Sequence, residues 1–348
     1  MNGAGSRSAP SATAETGPWA GDRFRLAFLA AVALLAGLFV AAVALGSLTL
    51  SPGDVLDVLT GRSDNALHDI VVMDLRLPRA LVAMVAGAML GLSGALLQSI
   101  TRNSLAAPEL TGVSAGVILL SVLWLAYGPA GVRTGRIVPL VAVLGGVAAG
   151  LVAYGISRRG HSDPLRLLLA GVLVSAVLQS ATSMVVLVNQ GATGGVLIWT
   201  IGSLNGRVWS DWALLWPWAG VTVLLALLSA GRANLLQLGD DVAAGLGVRV
   251  ERSRIVLLIV AVLLTAGALA VVGAIAFIGL IAPHIARQLA GDDARRLFPL
   301  TALVGASLLL GADVAARVVT EPIELPTGVA TSILGALFFL YLLRGQRR

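Results

Sequence analysis

The chain contains no cysteine and no lysine; all 24 of its basic residues are arginine. Without cysteine there is no disulfide, no thiolate metal site and no iron–sulfur cluster. Without lysine there is no P-loop lysine and no Schiff base, so the chain cannot house a Walker-type ATPase. Charge is scarce as well. Ionisable residues make up 12% of 348 positions, against roughly 25% in a soluble globular protein. Histidine is limited to His68, His161 and His284. These are too scattered to form a metal site. His284, beside Pro283, is expected to pack or hydrogen-bond, and His161 to be a solvated loop residue. No nucleophile–base pair is visible, which argues against a membrane enzyme.

What fills the chain instead is apolar: 57% of residues are hydrophobic and the mean hydropathy is +0.91. Apolar runs lie near 26–45, 78–99, 109–127, 138–156, 166–188, 212–229, 255–272, 274–290, 298–316 and 327–343. Each is near the roughly 20 residues that cross a hydrocarbon core. The expected fold is an all-α polytopic membrane protein with about ten transmembrane helices. The pair within 255–290 is the least clearly divided, with Gly273 as its separator. Residues 1–24, rich in Ala, Gly, Ser and Thr, are expected to be a disordered tail. They do not read as a signal peptide, because the following run is too long and lacks a cleavage site. Residues 25–348 then form a single membrane domain.

With both termini in the cytoplasm, seven arginines fall outside: Arg62, Arg76, Arg79, Arg133, Arg136, Arg207 and Arg317. The others fall inside, as the positive-inside rule requires. The isoelectric point near 11.0 therefore follows topology and does not point to nucleic acid. The expected location is a bacterial plasma membrane.

Residues 232–254, RANLLQLGDDVAAGLGVRVERSR, interrupt the apolar pattern with a long polar island on the cytoplasmic side. A connector between two membrane helices needs only a few residues. This one is long enough to fold a short helix and present it to a partner. Asp240 and Asp241 would open that helix, where the macrodipole favours them. Gly245 and Gly247 would end it. Leu238, Val242, Ala243 and Leu246 fall at helical spacing.

Other stretches carry local signals. Ser51-Pro52-Gly53-Asp54 reads as a helix start, with an N-cap serine, proline first and an acid third. Gly87-xxx-Gly91, Gly112-xxx-Gly116 and Gly146-xxx-Gly150 permit close helix approach. Arg76-Leu77-Pro78-Arg79 puts two arginines on the side that should be poor in them. They either snorkel at the interface or dock an acidic external partner. The turn RNSLAAPELTG, residues 102–112, leads into a small-residue helix, with Glu109 near its start. The C-terminal third adds GLIAPHIAR (279–287), GADVAAR (311–317) and ELPTG (324–328).

Five of these motifs occur together and in one order: RLPR, RNxLAxPxLxG, LGxxxAxxLG, GLIAPHIAR, and ADxxAR followed by ELPTG. Over about residues 45–345 the chain resembles the FecCD family, the permease subunits of type II ABC importers for ferric siderophores, haem and cobalamin. It departs from the family pattern in Ser104 and Leu337, where proline is usual, and in GAIAFIGL, where GPIGFVGL is commoner. The resemblance implies the type II importer permease fold and a ferric siderophore as the expected cargo. It implies that Arg76, Arg79 and Arg317 face the exterior and meet acids on an extracytoplasmic substrate-binding (lipo)protein. Asp313 and Arg317 could instead form a structural i,i+4 pair.

The resemblance further implies that Leu238, Gly239, Asp240, Asp241, Ala243, Leu246 and Gly247 belong to the element that couples to the ATPase. Asn103 and Leu105 correspond to an inner gate, with the loop 157–164 nearby. Trp199, Gly202, Ser203 and Trp209 correspond to a segment that narrows the outer mouth, unless they are interfacial anchors. The implied partners are a second permease chain, two cytoplasmic ABC ATPase subunits that use ATP and magnesium, the binding protein and membrane lipid. No cofactor is expected on this chain. An ion-coupled secondary transporter is the main rival, but such proteins place ionisable groups at the midplane. The expected span centres here hold none, and a pathway of Gly, Ala, Ser, Thr and Gln98 suits a bulky chelate.

Overall fold

Lipid offers the backbone no hydrogen-bond partners, so apolar runs of membrane length must become helices. The computed structural model describes residues 19–46, 48, 50–129, 131, 137–157, 164–189, 200–319 and 324–345. Arg133, Arg136, His161, Trp199 and most of the 1–24 tail lie outside the described residues.

Ten helices lie where the ten runs are. They are α1 (Trp19–Ala44), α4 (Leu77–Thr101), α5 (Val113–Tyr127), α6 (Ile137–Ser157), α7 (Pro164–Val188), α8 (Trp209–Leu228), α11 (Val250–Val272), α12 (Ile278–Ala290), α13 (Ala294–Val318) and α14 (Thr327–Gly345). Four short helices join them: α2 (Pro52–Leu59), α3 (Ala66–Asp69), α9 (Ala230–Gln237) and α10 (Asp240–Gly245). A π-helical turn, Ile70–Arg76, makes α3 and α4 continuous. Among the described residues, seven segments are long and apolar enough to cross a membrane; α5 and the apolar part of α14 are shorter, and α12 has 13 residues. Helix α1 begins at Trp19, so residues 19–24 belong to it and not to the expected tail.

Helix α2 forms as its sequence dictates. The Ser51 hydroxyl accepts from the Asp54 N–H at 3.1 Å, and the Asp54 carboxylate accepts from the Ser51 N–H at 2.9 Å. This reciprocal box satisfies two of the donors a helix start leaves over. The bond to Ser51 also holds the Asp54 carboxyl below its ordinary pKa.

Helix α4 is the centre of the bundle, packed by α8, α11, α12 and α13. Its Met89, Leu90, Leu92, Leu96, Leu97 and Ile100 are buried against Phe298 of α13 and Leu264 and Leu269 of α11. Small residues permit this closeness. Gly87 lies on the backbone of Gly305, Gly116 on that of Gly145, and Gly94 on that of Gly279. Gly112 serves otherwise: at φ 82° it ends the Pro108–Thr111 turn and starts α5. Helices α1, α7 and α8 leave most of their apolar surface open.

The span expected at 274–290 is a half-length helix. Gly273, at φ 75°, ends α11, and residues 274–277 run without helical structure before α12 begins. Thirteen residues rise about 20 Å, short of the roughly 30 Å of hydrocarbon. Irregular backbone at this depth survives only when protein satisfies it. The Val272 carbonyl accepts from Ser203 N–H at 3.0 Å, and the Phe277 N–H donates to the Glu109 carboxylate at 2.9 Å. Thus 108–112 and 273–277, two breaks distant in sequence, support each other.

A Cβ on Gly94 would overlap the Gly279 carbonyl oxygen, whereas one on Gly37 of α1 would meet nothing within 4 Å. Gly94→Ala is expected to destabilise the protein by about 1–3 kcal/mol, the usual cost of overpacking. Gly37→Ala should leave the thermal midpoint in detergent unchanged or raise it.

Candidate functional site

The end of the bundle that the arginine bias places outside is built around α1, whose last carbonyls need donors. Arg76 supplies them. Its Nη1 donates to the carbonyls of Val43 (2.9 Å) and Ala44 (2.8 Å), and its Nη2 to that of Leu48. Arg317, from the end of α13, adds Nη1 bonds to the carbonyls of Ala42 (3.1 Å) and Leu45 (3.4 Å). A guanidinium suits a helix C-terminus both as a multiple donor and as a positive charge.

Between Arg79 and Arg317 lies Asp313, with no exposed surface. Arg79 donates to it through Nε (3.0 Å) and Nη2 (2.9 Å), Arg317 Nη2 is 3.3 Å away, and the buried Thr327 hydroxyl donates at 3.0 Å. The remaining arm of Arg79, Nη1, donates to Glu324 at 2.9 Å. Thr327 in turn accepts from the Leu204 N–H, which ties the 200–205 segment to this cluster. The three arginines are therefore not outward-facing, as the resemblance implies. Arg76, Arg79 and Arg317 are 5–7% exposed, and each is committed to partners within the chain. The i,i+4 pair of Asp313 and Arg317 is present. Burial takes these three cations out of water, so each needs carboxylates or carbonyls around it. Glu324 joins the site although the motifs assign it no role; its signal in the sequence is an acid shortly after Arg317. In the outer-mouth segment, Gly202 adopts φ 78° against the Ala274 carbonyl, and Trp209 donates from its indole N–H to the Met73 carbonyl at 2.8 Å.

At the opposite end, the polar island folds into α9, then the expected short helix, α10, and then the first turn of α11. Gly239 at φ 106° opens α10 and Gly247 at φ 80° closes it. Within it Ala243 is buried and Val242 is 52% exposed; Leu238 and Leu246, which flank the helix, are 58% and 61% exposed. The bundle holds the island by polar contacts. Asn234 donates to Asp293 and accepts from the Ala294 N–H, both at 2.7 Å, and Gln237 donates to Ser99 at 3.1 Å. Burial works against the Asp293 carboxylate, but Asn234, the Arg295 N–H and the charges of Arg295 and Arg296 keep its pKa lowered. Asp240 accepts from Arg254 at 3.0 Å and from Arg102 at 3.3 Å. Asp241 and Gly245 remain exposed.

The turn that follows Arg102 is closed by Asn103, whose side-chain oxygen accepts from the Leu105 N–H at 2.9 Å. Leu105 is 46% exposed beside it. Gln98, expected along the pathway, is instead 2% exposed and accepts from Arg287 at 3.1 Å. His284 packs edge-on against Phe338 at 5.4 Å and bonds Gln288. Among the described residues no group of three His, Asp or Glu side chains could hold a metal.

The FecCD transport family model matches residues 33–345. The chain belongs to the FecCD transport family. The Fe(3+)-citrate import system permease protein YfmE of Bacillus subtilis (strain 168) is 36% identical over 93% of this chain and 96% of its own length. The achromobactin transport system permease protein CbrC of Dickeya dadantii (strain 3937) is 37% identical, covering 91% and 90%. A solved inward-facing transporter, assigned to the metal-chelate ABC type, superposes with a TM-score of 0.81 at 27% identity, covering 91% of this chain and 98% of that one. This FecCD chain is a permease subunit of the ABC importer kind, with the all-helical fold of that class.

Asp313→Ala would strand buried Arg317 without a counter-charge and leave Arg79 with Glu324 alone. Breaking a buried pair in this way costs about 3–5 kcal/mol. The variant is expected to lose most of its folded yield in detergent, while Glu324→Gln, at a 34% exposed side chain, retains it. Equal thermal midpoints for Asp313→Ala and the parent would refute the role given to Asp313.

Proposed function

We propose that this chain carries a ferric chelate across a bacterial plasma membrane as one of two permease chains, with both termini in the cytoplasm. Separate ATPase subunits hydrolyse ATP, and an extracytoplasmic binding protein delivers the cargo. The observation that carries this reading is the near full-length match to permeases of ferric citrate and achromobactin systems. The inner end supports it: Val242 on a short helix and Leu238 and Leu246 at its two ends are exposed apolar side chains, suited to a cleft on a cytoplasmic partner. Gly239, Asp240, Asp241, Ala243 and Gly247 shape that helix. Asn103 and Leu105, on the turn next to it, form the inner gate.

The test is uptake of radioactive ferric citrate into proteoliposomes holding the permease, its ATPase and its binding protein. Accumulation should require hydrolysable ATP. Accumulation driven by a proton gradient without ATP would overturn the assignment. Leu246→Asp places a charge in the apolar contact and should lower uptake by at least about tenfold, a loss of roughly 1.4 kcal/mol or more. Leu246 is exposed, so the fold is unaffected.

Docking of the binding protein uses Arg79, with Arg76 and Arg317 fixing its floor and adding positive field. The arm of Arg79 nearest the surface is the one held by Glu324. An acid on the binding protein takes that charge-assisted bond from Nη1 by displacing Glu324. Glu324→Gln is expected to tighten binding several-fold, and more than Asp57→Asn in the same outer region. Unchanged or weaker binding by Glu324→Gln would contradict this exchange.

A further inference from the structure

The geometry points to a transmission contact. We propose that Asp240 and Arg102 carry the movement of α10 into the gate turn at 103–105, with Arg254 as the fixed end. The proposal rests on α10 being the ATPase contact. It adds two arginines, Arg102 and Arg254, that the coupling reading did not include.

Helix α10 has only six residues. Of the polar side-chain contacts between the island and the bundle, those of Asn234 and Gln237 belong to α9. Among the described residues, the side chain linking α10 to α4 and to α11 is Asp240. Its two partners differ in kind. Arg254, with an 8% exposed side chain, donates to both carboxylate oxygens at 3.1 and 3.0 Å. Its Nε is buried without a partner, and its other carboxylate neighbour, Glu251, is farther off at 3.8 Å, so its charge rests mainly on Asp240. The guanidinium side of that bond is shielded from water, which makes it the firmer of the two. The bond to Arg102 is longer, at 3.3 Å, and both side chains are 39% exposed. Water competes there, so it can lengthen or break when α10 moves.

Arg102 sits where a pull has consequence. It caps α4 at φ 50°, ψ 33°, a left-handed conformation uncommon outside glycine. The next residue, Asn103, closes the turn onto Leu105. The backbone of Arg102 is thus the joint between the central helix and the gate turn, and its side chain is bonded to the coupling helix. A shift of α10 about Arg254 is delivered to that joint.

The absence of native cysteine allows a readout independent of cargo. Leu105→Cys is introduced into the full permease, assembled with its ATPase, and its maleimide labelling rate is compared between nucleotide-free and vanadate-trapped states. In this parent, trapping should change the rate several-fold. Adding Arg102→Gln, which leaves the Asp240–Arg254 pair intact, should abolish that change while ATP hydrolysis continues. Arg252→Gln, an exposed arginine of the same island, should preserve it. A response that survives Arg102→Gln overturns the transmission role and leaves the coupling assignment standing. A response lost equally in Arg252→Gln overturns it as well, since any island charge would then suffice. A parent with no response to trapping removes the coupling assignment itself, and the proposal with it. Asp240→Asn should behave as Arg102→Gln does; because it also strands Arg254, the decision rests on Arg102.

Discussion

Asp313 has no exposed surface and lies between two arginines, and most of the outer end is arranged to keep it paired. A carboxylate removed from water is tolerable only with opposite charge and hydrogen bonds around it. Arg79 brings α4 to it, Arg317 is its own helix's next turn, and Thr327 brings the start of α14. Each of those groups reaches further. Arg317 also caps α1, Arg79 also holds Glu324, and Thr327 also accepts from Leu204. One buried acid therefore sets the relative positions of α1, α4, α13, α14 and the 200–205 segment. The cluster holds three arginines against two carboxylates, which leaves a positive surplus at a surface read as meeting an acidic partner.

The inner end uses the same chemistry with more water. The side chains of Asp240 and Arg102 are each 39% exposed, and Asn234, Gln237 and Asp293 make individual bonds to single helices. Exposed pairs contribute little to stability and break easily. The contrast between ends has a mechanical reading. Buried charge at the outer end fixes helix starts and stops against each other. Exposed charge at the inner end leaves the contacts of the short helix α10 easier to break. Between them runs α4, almost wholly buried and packed backbone to backbone through Gly87 and Gly94. It is the element able to relate the two ends as a rigid rod.

Much of this was legible in the chain itself. Hydropathy located ten helices because lipid leaves the backbone no alternative, and Ser51-Pro52-Gly53-Asp54 specified a capping box that formed. The glycine pairs met as expected, apart from Gly112, which was needed for a turn. The misreadings share one cause: long-range contact. Nothing local in residues 274–290 says that Ser203 and Glu109 will satisfy an unwound backbone, so a half-length helix looked like a full span. Nothing local in Arg76 or Arg79 says that Val43, Ala44 and Asp313 will absorb their donors. The positive-inside rule noticed these arginines as anomalies, and the resemblance turned them outward. Burial turned them inward. Ala243 was likewise indistinguishable from Val242 by spacing, and only the packed side of α10 separates them.

The missing lysine has two meanings along the chain, and geometry separates them. At the outer end arginine is required by shape. Arg79 places Nε and Nη2 on Asp313 and Nη1 on Glu324 from one planar fork, and Arg76 reaches three carbonyls at once. An ammonium is a compact point charge that could balance Asp313, but it could not span two carboxylates in fixed directions. Arg254 gripping both oxygens of Asp240 falls in the same class. Arg249 and Arg252 are exposed and need only carry charge at the surface, which lysine does equally well. At those positions the choice of arginine reflects composition. At Arg76, Arg79, Arg254 and Arg317 it is what allows one side chain to tie separate segments of a membrane protein together.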